Sequence, residues 1–248
     1  MKENKILNYT LFLSLSLLMT ISFVGIDNIW FSKTDWLLGS GDLTNAQLSW
    51  KFFQNDLWRF PIGKNPNYGL EVSNSIIFTD NIPLLAIIFK ILNPLISNEF
   101  QYFSLWIFLC LFLQAIFSYK LIMKITNDIQ FSFISSFLFI LCPFLLFRLS
   151  HHFSLGAHWL ILYGFYIAYF IEEKKKDLHW YILIFLSLVI HLYFTLIIFV
   201  IYFFFILERT IKNKNIKIEI KKLIQKLLFS FLIMFILGYF ESHPVNAV

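Results

Sequence analysis

Charge is scarce in this sequence. Asp, Glu, Lys and Arg make up 14% of its 248 residues, against about 25% in a soluble chain. Cysteine is nearly absent: Cys110 and Cys142 both lie in apolar runs, which excludes a disulfide framework and a cysteine-based metal knuckle. Internal repeats, low-complexity stretches and a separate soluble domain are also missing. What remains is apolar: 58% hydrophobic residues, 32 of all residues phenylalanine, and a mean hydropathy of +0.71. Runs this long and unbroken identify residues 1–248 as a single polytopic, all-α membrane domain. The net charge of +5 therefore bears on topology rather than on nucleic acid, which is not an expected partner.

The apolar runs cover residues 9–24, 103–123, 129–147, 155–171, 178–207 and 223–240. The first follows Lys2 and Lys5 and lacks a small-x-small cleavage site, so it is expected to stay as a helix with its N-terminus in the cytoplasm. The run of thirty residues at 178–207 would extend about 45 Å as one helix, well beyond a ~30 Å hydrocarbon core. It is either one strongly tilted helix or a hairpin broken near "HLYFT", residues 191–195.

Lys and Arg near span ends stay cytoplasmic, and their distribution favours the hairpin. Residues 75–96 are then interfacial rather than spanning, as Asp80, Pro83, Lys90 and Pro94 suit poorly a lipid-facing helix. This gives about seven spans, with Lys33, Lys51, Arg59, Lys64, Lys90 and Arg148 external and the other fourteen basic residues cytoplasmic. Residues 25–100 form a long external first loop, and 209–222 a cytoplasmic connector, a surface helix drawn to anionic lipid.

An external loop this long is functional or disordered, and its tryptophans and phenylalanines argue against disorder. "NAQLSWKFFQND", residues 45–56, reads as an interfacial amphipathic helix with Leu48, Phe52 and Phe53 toward lipid; "PIGKNPNYG", residues 61–69, reads as consecutive turns. Asp42 and Asp80 each precede a helix-like stretch, so each is also placed to cap it. The second polar cluster, "RLSHHFSLGAHW" at 148–159, holds Arg148, His151, His152 and His158, with His191 at the hairpin break making a fourth histidine on that face.

The stretches "GDLTNAQLSWKFFQNDLWRFPIGKNPNYG", "SIIFTDNIPLLAIIFK" and "FQYFSLWIFLCLFLQAIF" resemble the N-terminal region of a bacterial family of uncharacterised multi-span proteins. That family is similar to the GT-C glycosyltransferases. The resemblance covers roughly residues 30–210. It implies a GT-C-like bundle in the bacterial inner (cytoplasmic) membrane that uses a polyprenyl-phosphate-linked sugar on the external face and a glycan or lipid acceptor. Asp42 and Pro83–Leu84 fall where the class keeps an early acid and an interfacial Pro-Leu helix, and Arg148 and His151/His152 where it keeps Arg or His. Members are usually longer and tend to read His-Pro-Tyr where this chain has His191–Leu192–Tyr193, so "ESHPVNAV" at 241–248 is expected to be a truncated end.

Glycosyl transfer needs a base for the acceptor hydroxyl and positive charge against the departing phosphate. Asp42 is the expected base or metal-holding carboxylate and Asp80 a second acid. Arg148, His151, His152, His158 and His191 are the expected substrate contacts. No cofactor is specified, and a divalent metal on Asp42 is compatible with this chemistry. The alternative is a non-enzymatic membrane protein: a transporter, lipid flippase or envelope assembly partner. A transporter places ionisable groups at mid-span, where this chain has Gln114, Ser135, Ser136 and Ser187.

Overall fold

A computed structural model describes residues 2–39, 41–69, 74–213 and 216–240, without the side chains of 2–6, 74 and 213. The expected truncated end, 241–248, lies outside these residues. Ten α-helices are described: α1 (Lys2–Val24), α2 (Gly41–Asn55), α3 (Pro83–Ile91), α4 (Phe103–Thr126), α5 (Ile129–Ile140), α6 (Pro143–His151), α7 (Trp159–Phe170), α8 (Glu173–Ile190), α9 (Leu192–Asn213) and α10 (Ile216–Leu237). Two-residue strands β1 (Lys64–Asn65) and β2 (Asn74–Ser75) form an antiparallel ribbon; the turns expected over 61–69 flank β1, closed by Lys64 N–H on Pro61 O at 3.0 Å and Tyr68 N–H on Asn65 O at 3.2 Å. Four apolar segments are long enough to cross a membrane: 7–24, 103–126, 153–170 and 192–212. The pair α5/α6, bent by 42°, makes a fifth.

That bend divides the apolar run 129–147 between two helices. Pro143 lacks an N–H and fixes φ, so it starts a new helix rather than continuing the old one. The long run at 178–207 is likewise two helices, broken at one residue. His191 is extended at φ −164, ψ 133, with its N–H closing α8 on Ser187 O at 2.9 Å. Its Nδ1 accepts the Tyr193 N–H at 3.2 Å, which serves one of the orphan amides at the start of α9. Where a separate surface helix was expected at 209–222, residues 209–213 continue α9 and 216–222 begin α10.

Side-chain pairs set the helix directions. Ser187–Thr195, Trp180–Tyr202 and Glu173–Arg209 step in opposite senses along α8 and α9, so these run antiparallel. Asn8–Tyr119 and Ile29–Ser104 do the same for α1 and α4, and Arg209–Glu219 for α9 and α10. Asp177–Lys226 and Leu188–Tyr239 make α8 and α10 parallel. One end of the bundle therefore gathers the end of α1, residues 25–102, the α6–α7 connection, His191 and the end of α10. The opposite end carries Lys120, Lys124, Lys174–Lys176 and the basic residues of α9 and α10.

The loop end is ordered by burial. Trp50, Phe53, Ile76, Tyr102, Phe103 and Phe153 are fully buried there in one apolar core. Phe53, expected to face lipid, instead packs on Trp58 and lies under the Lys90 ammonium at 3.9 Å; Leu48 and Phe52 stay exposed. α2 does not lie free on a surface, since α3 and the ribbon cover one of its faces. The ribbon is fastened to α10: Ile62 N–H donates to Ile236 O at 2.9 Å. A Cβ on Gly63 would stand 2.5 Å from Leu237 O, so this approach requires glycine.

Candidate functional site

A cavity of about 340 Å³ opens at the loop end, and Asp42, Asp80, His152 and His191 all line it. They come from four separate places: the first turn of α2, the loop before α3, the end of α6, and the α8–α9 break. Asn45, Tyr193 and Tyr239 add polar groups; Phe78, Leu155 and Leu192 are among its apolar walls.

Asp80 is the most constrained of these residues. It sits at φ 55, in the left-handed region that short acids tolerate, and Ile82 follows at φ 47. For a β-branched residue such a φ is an outlier costing on the order of 1–3 kcal/mol. The surrounding network holds it. Ser49 Oγ donates to Thr79 Oγ1 at 2.7 Å, Asn65 Nδ2 to Ser49 O at 2.9 Å, and Tyr102 OH to Asn81 O at 2.5 Å. Asp80 is thus pinned between two buried neighbours.

Its carboxylate does not cap α3, whose N-cap is Ile82 without a side-chain bond. Instead Oδ1 accepts the Ser154 N–H at 3.0 Å and the Ser154 hydroxyl, joining the first loop to the turn after α6. The other oxygen, Oδ2, is buried without a hydrogen-bond partner among the described residues. Burial pushes the carboxyl up to about 6, against the opposing pull of Ser154 and of the His152 charge.

Asp42 lies inside the first turn of α2 rather than at its cap, because the helix already begins at Gly41. It is 58% exposed and stands 3.7 Å from His152 Nδ1, an ion pair when the imidazole is protonated. Burial and the nearby His152 charge lower His191 to about 4, so at neutral pH it is uncharged, as its acceptor bond to Tyr193 requires.

The remaining expected contacts stand outside the cavity lining. His151 is exposed, stacked on Phe147 and bonded to Ser150 Oγ at 2.8 Å. His158 packs edge-on against Phe194. Arg148 is half-buried on α6, within electrostatic reach of His158, and its side chain makes no hydrogen bond or ion pair among the described residues.

No three His, Cys, Asp or Glu side chains are close enough to hold a metal ion among the described residues. The carboxylates and imidazoles do not converge as a ligand set, and no chemistry is routed through a metal here.

Ser154, Asn45, Tyr193 and Tyr239 belong to the site although the sequence alone does not single them out. Ser154 lies within the Arg/His cluster, but nothing local marks it as the partner of an acid 74 residues away.

Residues 13–247 match the family model described as "Domain of unknown function (DUF6311)". No curated protein and no solved structure matches the chain.

Proposed function

From a chain that belongs to the DUF6311 family, we propose an integral-membrane glycosyltransferase of GT-C type, acting on a polyprenyl-phosphate-linked sugar at the external face. The observation that carries this reading is one cavity shared by two carboxylates and two imidazoles at the loop end of an apolar bundle. A donor with a lipid tail and a polar head needs its reacting carbon at the membrane surface, between walls apolar on one side and polar on the other.

In this reading α1, α4, α5/α6, α7, α8, α9 and α10 are seven spans, with the N-terminus and the basic end in the cytoplasm. The chain is then a protein of the bacterial inner membrane.

The division of labour follows from exposure. A general base works best with a pKa near the operating pH and a free lone pair aimed at the proton. Asp80 has the raised pKa, and its Oδ2 has no hydrogen-bond partner among the described residues, so we assign it the acceptor proton, in preference to the exposed Asp42. The acceptor oxygen attacks the anomeric carbon, its proton passes to Asp80 Oδ2, and the sugar–phosphate C–O bond breaks with its electron pair leaving on the phosphate. The configuration inverts. Asp42 holds His152, whose ring donates a hydrogen bond to the leaving phosphate. His191 stays neutral and shapes the pocket. Arg148, at the same end on α6, supplies long-range positive charge.

The test uses the protein in lipid nanodiscs with polyprenyl-phosphate donors bearing a labelled sugar. Transfer of label to acceptor or water, abolished by Asp80→Asn, supports the reading. Absence of transfer across donor sugars, together with donor binding unchanged in Asp80→Asn, sinks it in favour of a non-enzymatic role.

A further inference from the structure

A second cavity, about 480 Å³, lies at the opposite, basic end between α7, α8 and α9. Its lining includes Tyr169, Glu173, Lys176, Phe205, Arg209 and Lys212. We propose that it binds the phosphodiester headgroup of an anionic phospholipid.

Depth is the first argument. The apolar part of α7 ends at Phe170 and that of α9 at Leu207, so the cavity sits where a membrane's apolar core gives way to headgroups. Tyr169, exposed at the end of α7, suits that boundary.

Unspent donors are the second. The Lys176 side chain is only 9% exposed. Its ammonium gives one N–H to Ala168 O at 3.1 Å and one to Glu173 Oε1 at 2.7 Å, leaving the third without a partner among the described residues. Arg209 donates Nε to Glu219 at 3.1 Å and Nη1 to Glu173, while Nη2 has no partner among the same residues. The Phe205 ring lies beneath both cations, 5.1 Å from Lys176 Nζ and 5.4 Å from the guanidinium carbon. Lys212 bonds only Glu208, one turn back on its own exposed helix face. Such an exposed pair is weak and easily exchanged.

Charge balance is the third. Glu173 and Glu208 also line the cavity, and Glu219, bonded to Arg209, has Lys222 at 3.7 Å, so four cations meet three carboxylates there. The surplus is one positive charge, which a phosphodiester neutralises. Basic recesses between membrane helices on this kind of face bind anionic headgroups.

The competing account is that these ion pairs only lock α8, α9 and α10 together. Lys212 separates the two, because it contributes nothing to that lock. The delipidated protein is titrated with phosphatidylglycerol, phosphatidylcholine or inorganic phosphate, and thermal stability and lipid retention by native mass spectrometry are read. Phosphatidylglycerol should raise the melting temperature and be retained; phosphatidylcholine should do neither. Lys212→Ala should weaken retention about tenfold, one charge-assisted hydrogen bond's worth, while the lipid-free melting temperature stays at wild type. Arg209→Gln should weaken retention and also lower that temperature. Equal retention of phosphatidylcholine, or undiminished retention in Lys212→Ala, overturns the site. Saturation of the shift by inorganic phosphate overturns the assignment to lipid.

Discussion

Ser154 gives both its backbone N–H and its hydroxyl to one oxygen of Asp80, and the other oxygen is buried without a hydrogen-bond partner among the described residues. Such an arrangement holds a carboxylate still without consuming the lone pairs that a reaction needs. Ser154→Ala removes one charge-assisted bond, worth roughly 1.5–3 kcal/mol, and keeps the backbone one. Denaturant titration should show a loss near the lower value, and transfer activity should fall through disorder of Asp80 rather than vanish.

Asp80→Asn keeps the shape and can still accept from Ser154, but it removes a buried charge. With the group raised to about 6 by burial, the wild-type fold holds the ionised form at a cost of up to ~3 kcal/mol at pH 7. The variant should therefore be more stable at pH 7 and inactive. A variant that is less stable there would show that the Asp80 charge supports the fold.

Opposite pH slopes should be separable by substitution. A raised carboxyl contributes stability that is full below its unfolded value of about 4 and is lost as pH rises through 6. For His191, lowered to about 4, stability is full above about 6.5 and falls as pH drops toward 4. The two nearly cancel between pH 4 and 6.5 in the wild type. Melting temperature should fall on acidification in Asp80→Asn and rise in His191→Asn. Parallel profiles in the two variants would refute the assignment.

Asp42→Asn should leave folding intact, since the residue is exposed and within a helical turn. If Asp42 serves by holding His152, its loss should move the ring's NMR signals and weaken transfer. Unchanged signals with unchanged transfer would leave the 3.7 Å pair without consequence.

Topology is tested by cysteine labelling at Asn98 and Lys175, which lie at opposite ends of the bundle. An impermeant external reagent should modify Asn98→Cys and spare Lys175→Cys. The reverse pattern would invert the proposed orientation and place the Asp80 cavity in the cytoplasm.

Legibility from sequence follows the range of the interaction. The break at His191 is readable because thirty apolar residues exceed a membrane's thickness and the basic clusters favour a hairpin; Pro143 carries a similar local mark for the α5–α6 bend. Phe53 is misread because periodicity on α2 shows an apolar face but not what covers it, and α3 with Lys90 does so from some thirty-five residues away. Asp80 looks like a helix cap when only its neighbours are considered. Its partner Ser154 arrives through tertiary packing that no local pattern encodes. The acids and histidines of the cavity are identifiable by type and shared face; which of them meet depends on where the α6–α7 turn docks. Arg148 stays off the cavity lining because α6, restarted at Pro143, places it toward His158.

The fastening of the ribbon to the last turn of α10 has a consequence in time. Ile236 and Leu237 anchor residues 62 and 63, and Tyr239 both lines the cavity and bonds Leu188 O at 2.8 Å. Chains are made from the N-terminus, so the first loop emerges long before the helix that completes its wall. During synthesis the chamber stands open, and a nascent chain halted before residue 236 presents Asp80 to water without that wall. Maturation of the site thus waits on α10, so a ribosome-stalled series should acquire protection of the loop from protease in one late step.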